Sequence, residues 1–399
     1  MKDDLNTILC ISSYEKGFDF LNQCKVEGWR VLLLTSLSLQ EAPWPSSSIN
    51  EIFYMPDVDK AWNIEHMINA VSYLARTEQI DRIVALDDFD VEKAARLREH
   101  LRIPGMGDTT ARYFRDKLAM RVKAEELGIL IPKFVHILNY TKIKKFLKNI
   151  SQPFLLKPRM QAGAVGIKKI NGAEQLWQTL ELLGDEQSNY LLEEFIPGEV
   201  YHSDSIIFDR KIIFTINSKY GLPPMEVAHN GRVFTSFNLE YNSDDDMKLR
   251  IINQKVIEGL GLVQGVTHSE YIKDTRGNFY FLETSARVGG ANLAEMIEAA
   301  TSVNLWREWA KLELNSDYKI PNFEKHYAAI IQSLAKVETP DLSQYVDSEI
   351  CWKLAKKSHA GLIIKSNNFL RIQLLLKEYI ERFYQDFFAS HPISSKPTS

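Results

Sequence analysis

The sequence predicts a chain of mixed class, with an α/β part followed by an α+β part. In the first hundred residues, short apolar runs alternate with helical patterns. Beyond residue 150 the pattern changes to neighbouring strands separated by short turns. At 399 residues the chain is also too long for one ordinary core. Alternation of strand and helix indicates a largely parallel, doubly wound sheet, whereas strands joined by tight turns indicate antiparallel sheets.

The predicted parallel sheet contains three buried strands, over residues 7–11, 30–34 and 82–86. Helices with apolar stripes lie between them, and the first of these helices ends at Gly28. Sheets of this kind often bind dinucleotides. Here the turn after the first strand, residues 12–17, has the sequence SSYEKG and lacks the GxGxxG pattern. NAD is therefore not expected.

Composition argues against several classes of protein. Lys and Arg number 48 against 52 Asp and Glu, so the net charge is −4, and neither nucleic acid nor an anionic membrane is an expected partner. The three cysteines, Cys10, Cys24 and Cys351, are too scattered for a disulfide framework or a zinc site. No apolar run approaches the roughly 18 residues of a membrane span, and no signal peptide is recognised. We expect a cytoplasmic protein with a frayed tail over residues 391–399.

The most informative segment is a predicted hairpin with strands over residues 265–273 and 278–287. A loop of two or four residues places Glu270 opposite Glu283 and His268 opposite Ser285. A loop of three residues would shift the register by one and separate these pairs. The sequence around the turn therefore decides whether the two carboxylates face each other.

Two facing carboxylates repel unless a charge neutralises them. Mg²⁺ could do so, because it prefers one or two carboxylates together with phosphate oxygens. The alternative is a solvated outer face without function, and the other face is not clearly the more buried one: Thr267, Ser269, Tyr271, Tyr280, Leu282 and Thr284. If repulsion dominates, Glu283→Gln should leave the stability of the metal-free protein unchanged or raise it slightly.

Two lysines and a loop of small residues precede the hairpin. Lys157 lies in an apolar strand predicted over residues 153–158, where a charge is costly unless it is paired. The loop that follows, residues 159–166, contains Gly163 and Gly166, and backbone N–H groups of such a loop can surround an anion. Lys117 is predicted on a helix over residues 111–127, where a lysine is ordinarily a solvated surface residue.

Taken in order, these segments resemble the ATP-grasp superfamily. The matching pieces lie between about residues 100 and 310: Asp116-Lys117, the strand with Lys157, the loop to Gly166, EEFIPGE over residues 193–199, Glu270, and ETSAR over residues 283–287. The resemblance implies an ATP-grasp fold with three parts. These are an N-terminal Rossmann-like α/β domain over residues 1–112, a small lid over 113–192 and a C-terminal mixed-sheet catalytic domain with an extension over 193–399.

The resemblance also implies ATP and Mg²⁺ as cofactors, with Mn²⁺ able to replace Mg²⁺. It implies the following nucleotide contacts: Lys117 and Lys157 on the phosphates, Gly163 and Gly166 in a covering loop, Glu193, Glu194 and Ile196 at the adenine, and Glu199 at the ribose. That loop should be mobile without nucleotide and ordered with it.

The metal and catalytic residues implied by the resemblance lie on the hairpin. Glu270, Glu283 and Ser285 would hold the metal, although Ser285 stands where the superfamily usually has Asn, which predicts weaker binding or a single ion. Arg287 would stabilise phosphate charge or bind a substrate carboxylate. His268 is either a catalytic group near the acyl phosphate or a structural imidazole. His202 and Asp204 are weaker candidates for substrate contact.

The segment over residues 283–297, ETSARVGGANLAEMI, is similar to amino-acid ligases that form dipeptides and to carnosine-synthase relatives. This resemblance implies a carboxylate–amine ligase that acts on small molecules and releases ADP and phosphate, with a homodimer as a candidate assembly. Two alternatives stay open. One is a bicarbonate-activating enzyme of the biotin-carboxylase or carbamoyl-phosphate type, and the other is a non-catalytic, ATP-binding regulatory protein.

Overall fold

The structure is a computed structural model that describes residues 5–230, 232–354 and 356–389. The tail predicted to be frayed lies outside the described residues. The strands are, in chain order, β1 (Thr7–Ser12), β2 (Arg30–Ser36), β3 (Glu51–Met55), β4 (Asp57–Val58), β5 (Ala61–Trp62), β6 (Arg82–Ala85), β7 (Phe134–His136), β8 (Phe154–Pro158), β9 (Lys168–Ile170), β10 (Tyr190–Glu194), β11 (Gly198–Phe208), β12 (Lys211–Tyr220), β13 (Phe234–Asn238), β14 (Gly265–Asp274), β15 (Phe279–Ser285), β16 (Tyr327–Leu334), β17 (Ile350–Lys353) and β18 (His359–Ser366).

The α-helices follow the same numbering along the chain. They are α1 (Phe18–Val26), α2 (Ile64–Leu74), α3 (Val91–Leu101), α4 (Asp108–Arg112), α5 (Lys117–Glu126), α6 (Tyr140–Asn149), α7 (Ala173–Leu183), α8 (Pro224–Asn230), α9 (Asp244–Leu260), α10 (Leu293–Thr301), α11 (Leu305–Leu314) and α12 (Phe369–Asp386). Among the described helices, none combines the length and the apolar character of a membrane-crossing segment.

The N-terminal sheet is parallel, with strand order β3-β2-β1-β6, and the three predicted strands are present. Strand β3 was not predicted, because it is an edge strand whose residues are mostly exposed or half-buried. From β1 the chain adds strands first on one side and then, with β6, on the other. Ligands bind in open α/β sheets at such a reversal, outside the carboxyl ends of the strands. In this chain those ends lead into residues 12–17 and 87–90.

The middle of the chain forms an antiparallel sheet with strand order β7-β10-β8-β9. Helices α6 and α7 bury their apolar stripes against it in one small core. The predicted domain boundary at residue 192 falls inside β10, and the domain limits stay predictions.

The C-terminal sheet is antiparallel and has the order β15-β14-β11-β12-β13-β16-β18-β17. One of its faces shares a core with α10, α11 and the N-terminal sheet. The opposite face packs against α5 and α9, and α12 covers the strands near β18. The shared core brings the carboxyl ends of β1 and β6 to the part of this sheet that contains β14 and β15.

The helix predicted over residues 111–127 is two helices, so that prediction is wrong. Helix α4 ends at Arg112, and α5 starts at Lys117 because the Asp116 side chain accepts a hydrogen bond from the Leu118 N–H (2.9 Å). An Asp in this position satisfies one of the free N–H groups at a helix start. Lys117 therefore lies at the first turn of a helix and is buried, with 7% of its surface exposed.

Candidate active site

The predicted pairing of the two carboxylates is present in the hairpin of β14 and β15. Glu270 lies opposite Glu283, and His268 lies opposite Ser285. The turn that was expected to produce this register is different. Asp274 N–H donates to the Asn278 carbonyl (2.9 Å), which leaves a loop of three residues with Gly277 at φ 86°.

A β-bulge restores the register that this three-residue loop would have lost. Tyr271 pairs with Phe281 and Glu270 pairs with Glu283, so Leu282 is the extra residue. Because a bulge adds one residue to one strand only, the side chains beyond it point to the opposite face from the one that regular pairing would give. As a result Phe281 packs in the same core as Tyr271, whereas Leu282 contacts the opposite core. The carboxylate side of the hairpin is therefore partly buried, and the interpretation as a solvated outer face is wrong.

Lys117 pairs with Glu283, one of the two facing carboxylates. Its Nζ lies 2.7 Å from Glu283 Oε2, and the Glu283 side chain is 29% exposed. Burial disfavours ionisation of Glu283, but Lys117 outweighs it, with contributions from Lys157 and Arg121, and lowers the pKa of this carboxyl to about 2. The carboxylate is thus ionised and paired, and the expectation that repulsion dominates is wrong.

Lys157 is held by a second, deeper ion pair. Glu193 is completely buried, and its two oxygens lie 2.6 Å from Lys157 Nζ and 2.6 Å from Arg121 Nε. Burial alone would raise the pKa of Glu193, but the two cations lower it. Glu193 was expected to contact the adenine. Its side chain faces the protein interior and pairs with Lys157, and its predicted role at the adenine stays a prediction.

Arg121 was missed by the sequence analysis. It is fully buried on α5, one turn after Lys117, and also donates to the Leu282 carbonyl at the bulge of β15. The one helix therefore connects the strand of Lys157, through Glu193, with the strand of Glu283. This arrangement brings both lysines near Glu283.

The first residues of the loop over 159–166 are tied to the start of α5. Lys117 N–H donates to the Arg159 carbonyl (3.0 Å), and Lys117 Nζ donates to the Gln161 carbonyl (2.6 Å). The guanidinium of Arg159 also pairs with Asp116. In the second half of the loop, Gly163, Ala164 and Gly166 adopt positive φ, and a Cβ on Gly166 would lie 2.8 Å from Pro158 Cγ.

The loop over residues 159–166 thus has a first part that is tethered to α5 and a second part in which three residues adopt positive φ, although the whole loop was predicted to be mobile without nucleotide. We expect the amides of residues 162–166 to exchange hydrogen rapidly in the free protein and to become protected with MgATP, whereas the Arg159 amide, which donates to the Asn189 carbonyl (2.8 Å), stays protected in both states. Hydrogen-exchange mass spectrometry over the loop measures this difference. Equal protection of residues 162–166 in the two states would contradict a covering role.

The segment predicted to bind the adenosine extends from the end of β10 to the start of β11. Glu194 N–H donates to the Lys133 carbonyl (2.8 Å), so that N–H is already engaged and cannot serve an adenine. Ile196 is half-buried against the core that the two larger sheets share. Glu199, the predicted ribose ligand, is largely exposed and pairs with Lys219 (2.6 Å).

His268 belongs to a buried polar network beside Glu270. Asp204 accepts from His268 Nδ1 (2.8 Å) and from His202 Nδ1 (2.6 Å). His202 and Asp204 were predicted as candidates for substrate contact. Both side chains are completely buried, so neither is open to a substrate in this structure. The three side chains are close enough to hold a metal, but their direct hydrogen bonds already use the atoms that would bind it.

The charges in this network follow from its geometry. Burial disfavours the His268 cation, but Asp204 and then Glu270 outweigh burial and raise the pKa of His268 to about 9. Burial is also the largest effect on His202, and it lowers the pKa of that imidazole. Two neighbouring imidazoles keep the pKa of Asp204 well below its usual range despite burial. The network therefore pairs one imidazolium, that of His268, with the carboxylate of Asp204.

Arg287 and its loop connect the hairpin to the N-terminal sheet. Arg287 Nη1 donates to the Val288 carbonyl (2.8 Å). A Cβ on Gly289 would lie 3.0 Å from His268 Nδ1 and 3.1 Å from Asp204 Oδ1, so a side chain at this position would require the loop or the network to shift by a few tenths of an ångström. Asp87, at the end of β6, pairs with Lys16 (2.6 Å). Burial opposes ionisation of Asp87, but Lys16 lowers its pKa, and Arg287 contributes to this effect.

Comparisons with known proteins find relatives in sequence. The L-arginine-specific L-amino acid ligase of Bacillus subtilis is 26% identical over 271 residues, which are 66% of this chain and 64% of that protein. The alanine–anticapsin ligase of Bacillus subtilis is 23% identical over 261 residues, or 60% of this chain and 55% of that protein. The chain thus spans less than two thirds of either relative. No family model matches the sequence.

Solved structures match almost the whole chain. The L-amino acid ligase from Bacillus licheniformis has a TM-score of 0.75 at 15% identity, covering 97% of this chain and 100% of that one. The biotin carboxylase domain of the Hydrogenobacter thermophilus 2-oxoglutarate carboxylase, in complex with MgADP, ADP and bicarbonate, has a TM-score of 0.70 at 15% identity, covering 94% of this chain and 89% of that one.

The chain therefore has the ATP-grasp fold, and the resemblance to that superfamily predicted from the sequence is confirmed. Its relatives in sequence include amino-acid ligases and D-alanine–D-alanine ligases.

Proposed function

We propose that this chain is an ATP-dependent ligase that activates a carboxylate as an acyl phosphate and joins it to an amine. A carboxylate oxygen attacks the γ-phosphorus of ATP, and ADP leaves. The amine nitrogen then attacks the acyl carbon, the C–O bond to phosphate breaks, and a proton is released with the phosphate. The observation that most supports this proposal is that Lys117 and Lys157 both act on Glu283, which faces Glu270 across the hairpin.

The oxygen donors on the hairpin fit a hard divalent cation such as Mg²⁺. Glu270 and Glu283 face each other, and the Ser285 hydroxyl lies on the same side of β15. Carboxylate and hydroxyl oxygens are suitable ligands for Mg²⁺, and phosphate oxygens complete such sites. When bound, the cation would offset the negative charge that spreads over the transferring phosphoryl group.

The chain's own residues would bind and orient the nucleotide and substrates. Lys117 and Lys157 would bind phosphate oxygens, and their present partners, Glu283 and Glu193, hold them near each other. Arg287 would bind the substrate carboxylate or the acyl phosphate through its guanidinium. The loop over residues 162–166 would exclude water from the acyl phosphate, which water would otherwise hydrolyse.

We further infer that the substrates are amino acids or similar small molecules. The two relatives named above are amino-acid ligases, which favours this class over bicarbonate. The biotin carboxylase domain has the same fold, but at 15% identity it gives only weak support to the bicarbonate alternative. The regulatory alternative is disfavoured because both lysines and both carboxylates lie together.

Release of ADP and phosphate, measured with defined amino-acid mixtures, tests this proposal. We expect release to depend on amino acids and to be accompanied by a new amide in the mass spectrum. Release that requires bicarbonate alone would support the biotin-carboxylase alternative. ATP binding without release in any mixture would support a regulatory protein, and the Glu283→Gln variant serves as the inactive control.

A further inference from the structure

Tyr220, at the end of β12, contacts the predicted metal ligand Glu270 from inside the protein. Its hydroxyl donates to Glu270 Oε1 at 2.9 Å, and the side chain is only 5% exposed. Strand β11 separates β12 from β14, so the tyrosine reaches across one strand to make this contact. Glu270 itself is 18% exposed at its side chain. The contact therefore comes from the interior and leaves the open side of the carboxylate to other partners.

The direction of this hydrogen bond is fixed by its neighbours. An ionised carboxylate only accepts, so Tyr220 must donate its single proton to Glu270. Its oxygen can then accept from His268 Nε2, which lies 3.2 Å away. His268 Nδ1 in turn donates to Asp204 at 2.8 Å. One chain of hydrogen bonds thus leads from the buried Asp204 to Glu270.

The Asp204 end of this series of hydrogen bonds is also held in place by further hydrogen bonds. Asp204 accepts from His202 Nδ1, and His202 Nε2 lies 2.7 Å from Ser236 Oγ on β13. The members therefore belong to four neighbouring strands of the C-terminal sheet, β11 to β14. A network that spans rigid strands restricts the position of each group in it. The Tyr220 hydroxyl is the member that reaches Glu270.

We propose that Tyr220 is a positioning residue that orients Glu270 for the divalent cation of the ATP complex. This inference rests on the proposed function, since it needs Glu270 to bind a cation. Carboxylates that bind metals are commonly held by hydrogen bonds from groups behind them, and loss of such a partner weakens metal affinity about 10- to 100-fold. Here the Tyr220 hydroxyl holds Glu270 from behind. The hydroxyl is in turn held by the buried network of His268, Asp204 and His202.

The test compares Tyr220→Phe with Tyr271→Phe. Tyr271 is also a buried tyrosine, adjacent to Glu270 in sequence, but its hydroxyl donates to Asn253 (2.9 Å) in the opposite core. Each substitution removes one buried hydroxyl and keeps the ring. Melting temperatures of the two variants report the structural cost that they share.

The measured quantity is Mn²⁺ affinity, obtained by electron paramagnetic resonance in the presence of a non-hydrolysable ATP analogue. Tyr220→Phe should raise the Mn²⁺ dissociation constant about 10-fold or more, and Tyr271→Phe should leave it near the parent value. In a Glu270→Gln background, Tyr220→Phe should have no further effect, because the tyrosine acts through Glu270.

Two results would overturn the inference: parent-like Mn²⁺ affinity in Tyr220→Phe, or an undiminished effect in the Glu270→Gln background. Failure of the parent protein to bind Mn²⁺ with the analogue is a different outcome, because it would remove the proposed function itself.

Discussion

Glu283→Gln is expected to reduce ATP turnover by on the order of 100-fold or more, because it removes one of the two facing negative charges that would hold the cation. Glutamine keeps the shape of the side chain, so the loss reports charge. The measurement is amino-acid-dependent phosphate release over a range of Mg²⁺ concentrations. Turnover at the parent rate with unaltered Mg²⁺ dependence would falsify the metal assignment.

The same substitution should destabilise the metal-free protein. The pKa of Glu283 falls from the ordinary 4.5 to about 2 in the folded state, since Lys117 stabilises its charge. After a discount for partial exposure, this corresponds to about 1–2 kcal/mol of stability. A folded-state pKa below the unfolded value stabilises the protein above pH 4.5, and this contribution is lost as the pH falls toward 2.

Urea unfolding of the parent and the Glu283→Gln variant at several pH values measures whether the substitution lowers or raises stability. The parent should be more stable than Glu283→Gln at neutral pH, and the difference should narrow in acid. A variant that is more stable than the parent at neutral pH would mean that repulsion between the carboxylates, and not the Lys117 pair, dominates.

Arg121→Met is expected to give the largest loss of stability. It leaves the fully buried Glu193 with Lys157 as its remaining cation, and removing one partner of a buried ion pair costs about 3–5 kcal/mol. The free energy of unfolding from urea titration measures this loss. A second substitution, Glu193→Gln, should not recover it, because the buried Lys157 then loses its own carboxylate partner.

Arg276→Met provides the matched control. Arg276 pairs with Asp274 in the hairpin turn, and its side chain is 76% exposed. Loss of an exposed pair changes stability by about 0–1 kcal/mol. If Arg121→Met were as mild as this control, the buried pair would not stabilise the fold.

The sequence predicted the hairpin pairing correctly but by an incorrect turn. Alternation along β14 and β15 identified Glu270 and Glu283 as partners. Nothing in the sequence marks Leu282 as the extra residue of a bulge, since a leucine is equally suited to a regular strand. The three-residue loop and the bulge shift the register in opposite directions, so the two errors cancel.

The contacts between distant segments could not be predicted from the pattern. Arg121 on an amphipathic helix looks like an ordinary surface residue, because its partner Glu193 is far along the chain. The same distance hides the contact of Asp204 with His268, which depends on the pairing of β11 with β14. In contrast, the capping signal of Asp116 is local and could have been recognised from the sequence.

The most direct test of the proposed chemistry follows the oxygen atoms of the substrate. An accepted amino acid, labelled with ¹⁸O in both carboxylate oxygens, is incubated with ATP and the amine. If an acyl phosphate forms, one ¹⁸O atom passes to the released phosphate and the other stays in the amide. Amide formation with unlabelled phosphate, or with AMP and pyrophosphate as products, would contradict activation through an acyl phosphate.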